Sequence, residues 1–464
     1  MSNILLIVWD SARAANTSLY GHSRDTTPFL EEFSKSSEVY NSISPGIWTL
    51  PSHISMFSGI PVQNHRIRSI RDRIKPKRLI FRELSEKENY STGLFTQNTW
   101  LSEANVGIHE AFDFVSDSPF PPFSEAVNPV EFLFQDDLNT ESFHTRYYKY
   151  LVESANHENT LKSLYNGIAS KWVGSNLTNK EKNQHNGFYY ADQFVDWLDN
   201  QDGDWAACIN LMDSHRPYEP TEEYDKWGSE GLHKIQSEID DLPTEFLREQ
   251  EPLWKLHALE SLYDGGILQA DAITQHIVKK LRDAGEFEDT TVIVTGDHGE
   301  GFGEQSFIER PVIEHTENMH PYQFNVPLVI NTSSDFAVAS SEGFVSLTDV
   351  YSLIKSNATG TVEFEFSKKP VCSYFPTNPI DEILFYSEAM DMQVSQALVD
   401  EGLITVRVGD ELHKYTPREA QHEKTTTDET VDLSIEGSLV DESGNGEESQ
   451  EVIERLEALG YYES

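Results

Sequence analysis

Two acidic sites stand at the ends of apolar runs. Asp10 closes Ile4-Leu5-Leu6-Ile7-Val8-Trp9, and Asp297-His298-Gly299-Glu300 follows Thr291–Thr295. Carboxylates and an imidazole held on rigid strand ends are the donor set a divalent cation takes. A third stretch, Gly46-Ile47-Trp48-Thr49-Leu50-Pro51-Ser52-His53, leads into a helical pattern with Pro51 in its first turn and Ile54, Met56 and Phe57 as apolar positions. Thr49 is expected just before that helix, where open backbone N–H groups and the helix dipole favour an anion. A hydroxyl beside a cation there can act as a nucleophile. Taken singly, each piece also has a plain structural reading: a strand-end Asp often caps a helix, and Thr49 could be an ordinary N-cap.

The elements that must position these residues follow from periodicity. Ile4–Trp9, Ser91–Thr96, Trp205–Met212, Thr291–Thr295 and Val326–Ile330 read as buried strands. Helical patterns lie between them, notably Phe188–Leu198 and Leu262–Leu281. Strands alternating with helices predict an α/β fold with a mostly parallel sheet, whose ligands sit beyond the strand C-termini. Asp10, Asn98 and Asp297-His298 follow three of these strands in that position. Residues 1–367 are expected to form one catalytic domain, with residues 115–185 as an insertion that could act as a lid. Residues 368–420 read as a small antiparallel subdomain with strands at Val371–Phe375, Ile383–Ser387, Leu403–Val408 and Leu412–Tyr415. Residues 421–464 read as an acidic linker ending in a short helix over Glu451–Tyr461.

The 464 residues carry 78 acidic and 35 Lys or Arg side chains, a formal charge of −43. Such a surface repels nucleic acid and anionic membranes, and it suits a salt-loaded, halophilic cytoplasm, where screening is short-ranged. Two cysteines, Cys208 and Cys372, cannot build a disulfide framework. The apolar run Ile4–Trp9 is too short for a membrane span or a secretion signal, so a cytoplasmic location is expected. One segment opposes the charge trend: residues 65–82 hold Arg66, Arg68, Arg71, Arg73, Lys75, Lys77, Arg78 and Arg82 against Asp72 alone. It reads either as a positive rim for an anionic substrate or as an arm pairing with the acidic body.

The ordered set of motifs resembles the sulfatase family of the alkaline-phosphatase superfamily. The set runs from Asn3–Arg13 through Tyr20-Gly21, Thr27-Pro28-Phe29-Leu30, Thr49–His53 and Ser58-Gly59 to Met212-Asp213-Ser214-His215-Arg216-Pro217-Tyr218. It continues with Tyr263-Asp264-Gly265-Gly266-Ile267, Thr295–Glu300, Val326-Pro327-Leu328 and Ser346-Leu347-Thr348-Asp349-Val350. The resemblance implies a three-layer sandwich with a mostly parallel central sheet. It implies one divalent metal ion (Ca, Mg or Mn) on Asp10, Asp297 and His298, with Thr49 as nucleophile and further ligand. It also implies Asn98 as an anion contact and His215 as the residue that binds substrate or protonates the leaving group. A basic residue facing the anion is expected among Arg310, His315 and His320.

Two departures from the family pattern bear on chemistry. Family members carry paired acids after the first strand, whereas Asp10 is followed by Ser11. The family's Cys or Ser, which is oxidised to formylglycine, is Thr49 here, and its Arg is His53. A threonine β-carbon bears a methyl and cannot become an aldehyde. A covalent intermediate on Thr49 must then be resolved by water or an alcohol at phosphorus or sulfur. The expected activity is metal-dependent hydrolysis of sulfate or phosphate esters. The rivals are phosphodiester or phosphonate hydrolysis, phospho-group transfer to a glycan or lipid, and a non-catalytic binding protein. The expected partner is an anionic ester substrate, without nucleic acid or a membrane span; self-association is left open.

Overall fold

The computed structural model describes residues 2–67, 72–116, 126–127, 143–157, 159–164, 187–239, 246, 251–306, 311–315, 320–341 and 343–367, and five strands between 371 and 425. Strands β1 (Asn3–Trp9), β2 (Glu38–Ile43), β3 (Ser91–Thr96), β4 (Phe114–Val115), β5 (Trp205–Leu211) and β6 (Thr290–Gly296) belong to a central sheet. A hairpin of β7 (Gly301–Gln305) and β8 (Pro311–Glu314) comes next in the chain. Then come β9 (Asn325–Asn331), β10 (Ala337–Val338), β11 (Phe344–Ser346) and β12 (Glu363–Phe364). The eight-stranded sheet has the order β11-β2-β9-β6-β1-β5-β3-β4. Strand β9 runs against its neighbours β6 and β2, and every other pairing in the sheet is parallel. The sheet is therefore mostly parallel, as the alternating pattern predicts, although Val326–Ile330 proves to be its reversed strand.

Period two in β1 divides the core. Ile4, Leu6 and Val8 face one side with Ile54, Phe57 and Ile354, whereas Leu5, Ile7 and Trp9 face the other with Phe194, Ile267 and Ile277. The first layer carries helices Thr49–Ser58 and Val350–Ala358; the second carries Gly187–Leu198 and the 32-residue Leu253–Ala284. Each fully buried large apolar side chain contributes about 1.5–3 kcal/mol, so β1, covered on both faces, is a rigid support for Asp10 at its end. Trp9 is further fixed by its indole N–H donating to Thr274 Oγ1 at 2.9 Å.

A separate antiparallel sheet contains β13 (Val371–Tyr374), β14 (Ser395–Asp400), β15 (Leu403–Val408), β16 (Glu411–Thr416) and β17 (Gln421–Thr425). It extends past residue 420 into the stretch expected to be linker, and Ser395–Asp400 is a strand that the apolar pattern does not announce. The expected strand Ile383–Ser387 and helix Glu451–Tyr461 lie outside the described residues. Within the insertion, Phe143–Asn156 is helical. Among the described residues no helix is long and apolar enough to cross a membrane.

Candidate active site

The parallel registers bring four strand ends into one row. Trp9 is level with Gly296 and Leu211, and Thr96 with Asn210. Asp10, Asp297-His298, Asn98 and Asn210 therefore meet at the C-terminal edge of the sheet, all buried. One ligand atom each from Asp10, Asp297 and His298 lies within 4.8 Å of the others, the one such cluster among the described residues. His298 Nε2 is 3.5 Å from Asp10 Oδ1 and 3.6 Å from Asp297 Oδ2. Its Nδ1 meets Gly299 O at 2.9 Å, which an imidazole does only as a donor, so Nε2 is the ring nitrogen turned to the carboxylates. The turn after β6 requires glycine, since a Cβ at Gly299 would collide with the Tyr322 carbonyl.

Asp297 is held open toward the cluster. Its Oδ1 accepts from Ser11 N at 3.1 Å and His298 N at 2.9 Å, whereas its Oδ2 is buried with no hydrogen-bond partner. Burial and then the Asp10 charge push its carboxyl up to about 7. Burial pushes His298 down, but Asp297 and Asp10 outweigh it and leave the imidazole raised to about 9. Two carboxylates share this single imidazole, and the donor set fits a divalent cation.

Thr49 is the first residue of its helix, with Trp48 at the N-cap and no side-chain cap. The N-cap reading of Thr49 fails because the side chain points elsewhere. Its hydroxyl donates to Asp10 Oδ2 at 3.4 Å and lies 3.5 Å from His298 Nε2. Helix Thr49–Ser58 ends at Gly59 with φ +70. One turn after Thr49, His53 donates from Nδ1 to Thr49 O at 3.0 Å and stands 3.6 Å from Asp297 Oδ2. Burial lowers its pKa to about 4, so the residue in the Arg position is a neutral ring.

The other candidates separate clearly. Asn98 caps the following turn through Oδ1, which accepts from Trp100 N, and its amide donates to Asp10 Oδ2 at 2.8 Å and to Met212 Sδ at 3.3 Å. It therefore meets a carboxylate where an anion contact was expected. His215 is buried, with Nδ1 donating to Arg216 O at 2.6 Å, so in the neutral ring Nε2 is the basic nitrogen. The His315 ring lies near those of His298 and His215, tilted to both, at 5.2 and 5.8 Å between ring centroids. His320 N-caps Pro321–Phe324, Nδ1 accepting from Tyr322 N at 3.2 Å. Arg310 lies outside the described residues, as do Arg68 and Arg71. The rim idea loses Arg73 and Arg82, which pair with Glu110 and Asp113 of the body.

Two participants are not evident from the sequence. Asn210 donates to Asp10 Oδ2 at 3.3 Å; its signal was a lone amide inside the buried run Trp205–Met212. Ser11 adopts φ +62, which aims its N–H at Asp297, while its hydroxyl reaches Asp10 Oδ1 at 3.4 Å. The site of the second family acid thus holds a neutral hydroxyl.

Comparison with known proteins places the fold. The phosphonate monoester hydrolase of Agrobacterium radiobacter shares the fold at a TM-score of 0.61 and 16% identity, with 90% of each chain covered. The phosphonate monoester hydrolase of Silicibacter pomeroyi is similar at 0.55 and 14%, covering 90% of this chain and 89% of that one. A protein solved with its substrate D-glucosamine-2-N,6-O-disulfate gives 0.54 and 12%, with 92% and 91% covered. No curated protein matches at significant sequence similarity. The Sulfatase family model matches residues 2–356, which span every strand of the central sheet and every residue of the site, and the chain belongs to that family.

Proposed function

We propose that the chain is a metal-dependent hydrolase of anionic esters that uses Thr49 as nucleophile, with phosphorus esters ahead of sulfate esters. The observation that carries this reading is the Thr49 hydroxyl, aimed at the Asp10–Asp297–His298 cluster from the first residue of a helix. Asp10, Asp297 and His298 would hold the ion, with Thr49 beside them. A bound divalent cation would neutralise the two carboxylates and withdraw charge from the ester's oxygens.

Thr49 Oγ1 passes its proton to Asp10 Oδ2, to which it donates at 3.4 Å, as it bonds to phosphorus, and the bond to the leaving alcohol breaks. His215, as imidazolium, gives that alcohol its proton from Nε2. Neutral His215 then takes a proton from water as the water oxygen attacks phosphorus, and Thr49 leaves, taking its proton back from Asp10. A threonine adduct has no second hydroxyl with which to expel sulfate, so the water step must occur at the central atom. This favours phosphorus, and two of the structural neighbours are by name phosphonate monoester hydrolases. An acceptor alcohol in place of that water would give the transferase reading.

The test is a panel of aryl phosphate, bis-aryl phosphate, aryl phosphonate and aryl sulfate at molar salt with added divalent cations. Turnover of a phosphorus ester above the sulfate is expected. Turnover of the sulfate alone would overturn the preference, and a protein inert toward the whole panel while carrying the ion would favour a binding role.

A further inference from the structure

We infer that Asn98 and Asn210 tune the ion site toward a compact cation of the zinc class and against calcium. The inference rests on the proposed cation at Asp10, Asp297 and His298 and concerns how many oxygens those residues can offer. Each carboxylate has one oxygen that takes two or more protein donors, while Asp10 Oδ1 takes the Ser11 hydroxyl at 3.4 Å. Asp297 Oδ1 accepts from two backbone N–H groups, at 2.9 and 3.1 Å. Asp10 Oδ2 accepts from the Asn98 and Asn210 amides at 2.8 and 3.3 Å and from the Thr49 hydroxyl at 3.4 Å. Neither carboxylate is set to grip an ion with both oxygens. The atoms that face the centre are Asp10 Oδ1, Asp297 Oδ2, His298 Nε2 and Thr49 Oγ1.

Spacing and donor type agree. His298 Nε2 lies 3.5, 3.6 and 3.5 Å from Asp10 Oδ1, Asp297 Oδ2 and Thr49 Oγ1. Four ligands about 2.1 Å from a tetrahedral ion stand about 3.4 Å apart. Calcium takes about six to eight oxygens at about 2.3–2.6 Å and commonly uses both oxygens of a carboxylate. An imidazole ligand also suits zinc better than calcium or magnesium.

The amides cannot turn round to release Asp10. Thr96 Oγ1 accepts from Asn98 N at 2.9 Å, so its own hydrogen goes to Asn210 Oδ1, also at 2.9 Å. That leaves the Asn210 NH2 pointing at Asp10. Trp100 N donates to Asn98 Oδ1 at 3.0 Å and fixes that amide likewise. Thr96 and Asn210 are thus positioning residues that act through Asp10.

The test measures zinc and calcium dissociation constants by calorimetry on the full chain, without substrate, for the wild type, Asn210→Ala and Thr96→Val. The wild type should prefer zinc by at least about 10⁴. Partners behind metal ligands typically change affinity about 10–100-fold. Asn210→Ala should narrow the zinc-to-calcium ratio by about tenfold or more, and Thr96→Val by about threefold in the same direction. Should Asn210→Ala fail to fold, Thr96→Val carries the test. A ratio unchanged in folded variants, or a wild type that binds calcium as tightly as zinc, would overturn the inference. Because no turnover is read, failure of the ester panel with this selectivity intact would count against the reaction alone.

Discussion

Two clusters of buried charge begin three residues apart in sequence, at Asp10 and Arg13, and they are built in opposite ways. Around Arg13 each charge faces its opposite. Its guanidinium pairs with Glu260 and Glu304 and lies over the rings of Tyr322 and Phe302, at 4.7 and 5.0 Å. Asn16 links it to Asp264, which meets Arg24 at 2.7 Å and His22 at 3.1 Å. Around Asp10 two carboxylates converge on one imidazole, and Asp297 Oδ2 has no hydrogen-bond partner at all. The Asp10 cluster is completely buried, whereas the acids that meet Arg13 reach the surface, Glu260 being 34% and Glu304 20% exposed. A buried network that balances itself holds structure, whereas one that does not is organised for something it binds. The imbalance of charge marks the site together with its complete burial.

The contrast can be broken at either end. The largest effect is expected at Asp297→Asn. Loss of a ligand to the ion should cut turnover by about 10³ or more, as removal of central catalytic groups does. The same change should raise the stability of the metal-free protein by about 1–2 kcal/mol, because it removes an uncompensated buried charge. Urea titration after chelation reads the second effect, and a destabilised metal-free variant would contradict the comparison. Arg13→Gln should do the reverse. It leaves Glu260 and Glu304, 34% and 20% exposed, without their cation and should cost about 1.5–3 kcal/mol, with the bound ion per folded chain unchanged by elemental analysis.

Smaller effects test the paired type of network at the surface. Glu83, 13% exposed, is pulled down to about 2, because hydrogen bonds from Tyr351, Lys87 and Lys355 outweigh the burial that would raise it. A depressed carboxyl contributes stability above its unfolded value of 4.5 and loses it as pH falls through about 2. Glu83→Gln should therefore be less stable than wild type by about 1–2 kcal/mol at pH 6, with the gap closing toward pH 3 in parallel denaturant titrations. The smallest effect is expected at Arg73→Glu. Losing its two contacts at 2.6 Å with Glu110 should cost about 1 kcal/mol, with KM for an anionic ester unchanged. A raised KM without a stability change would restore the rim idea for this residue.

Much of the frame was legible in the sequence because apolar runs are local. Ser91–Thr96 and the cores of β1, β5 and β6 fall where hydrophobic continuity puts them, and Asp10 and Asp297-His298 are marked by breaking that continuity. The features that were not legible depend on register and rotamer. Asn210 joins the site because β5 pairs with both β1 and β3 at the same level, which no local pattern encodes. His315 and His320 are five residues apart in similar surroundings, and only the capping of Pro321–Phe324 separates them. Glu38–Ile43, whose half-exposed pattern is weak, gives no clear strand signal although it pairs along the whole of β9. The charge of −43 likewise says nothing of the dry centre, where two carboxylates and their amides set the chemistry.

The central claim is that a hydroxyl on residue 49 attacks the ester. It is tested most directly by kcat for Thr49→Ala and Thr49→Ser on the best phosphorus ester, compared at equal bound metal. Serine keeps the hydroxyl and should stay within about tenfold of wild type, whereas alanine should lose about 10³ or more. An alanine variant that turns over at the wild-type rate with the ion in place would contradict the account.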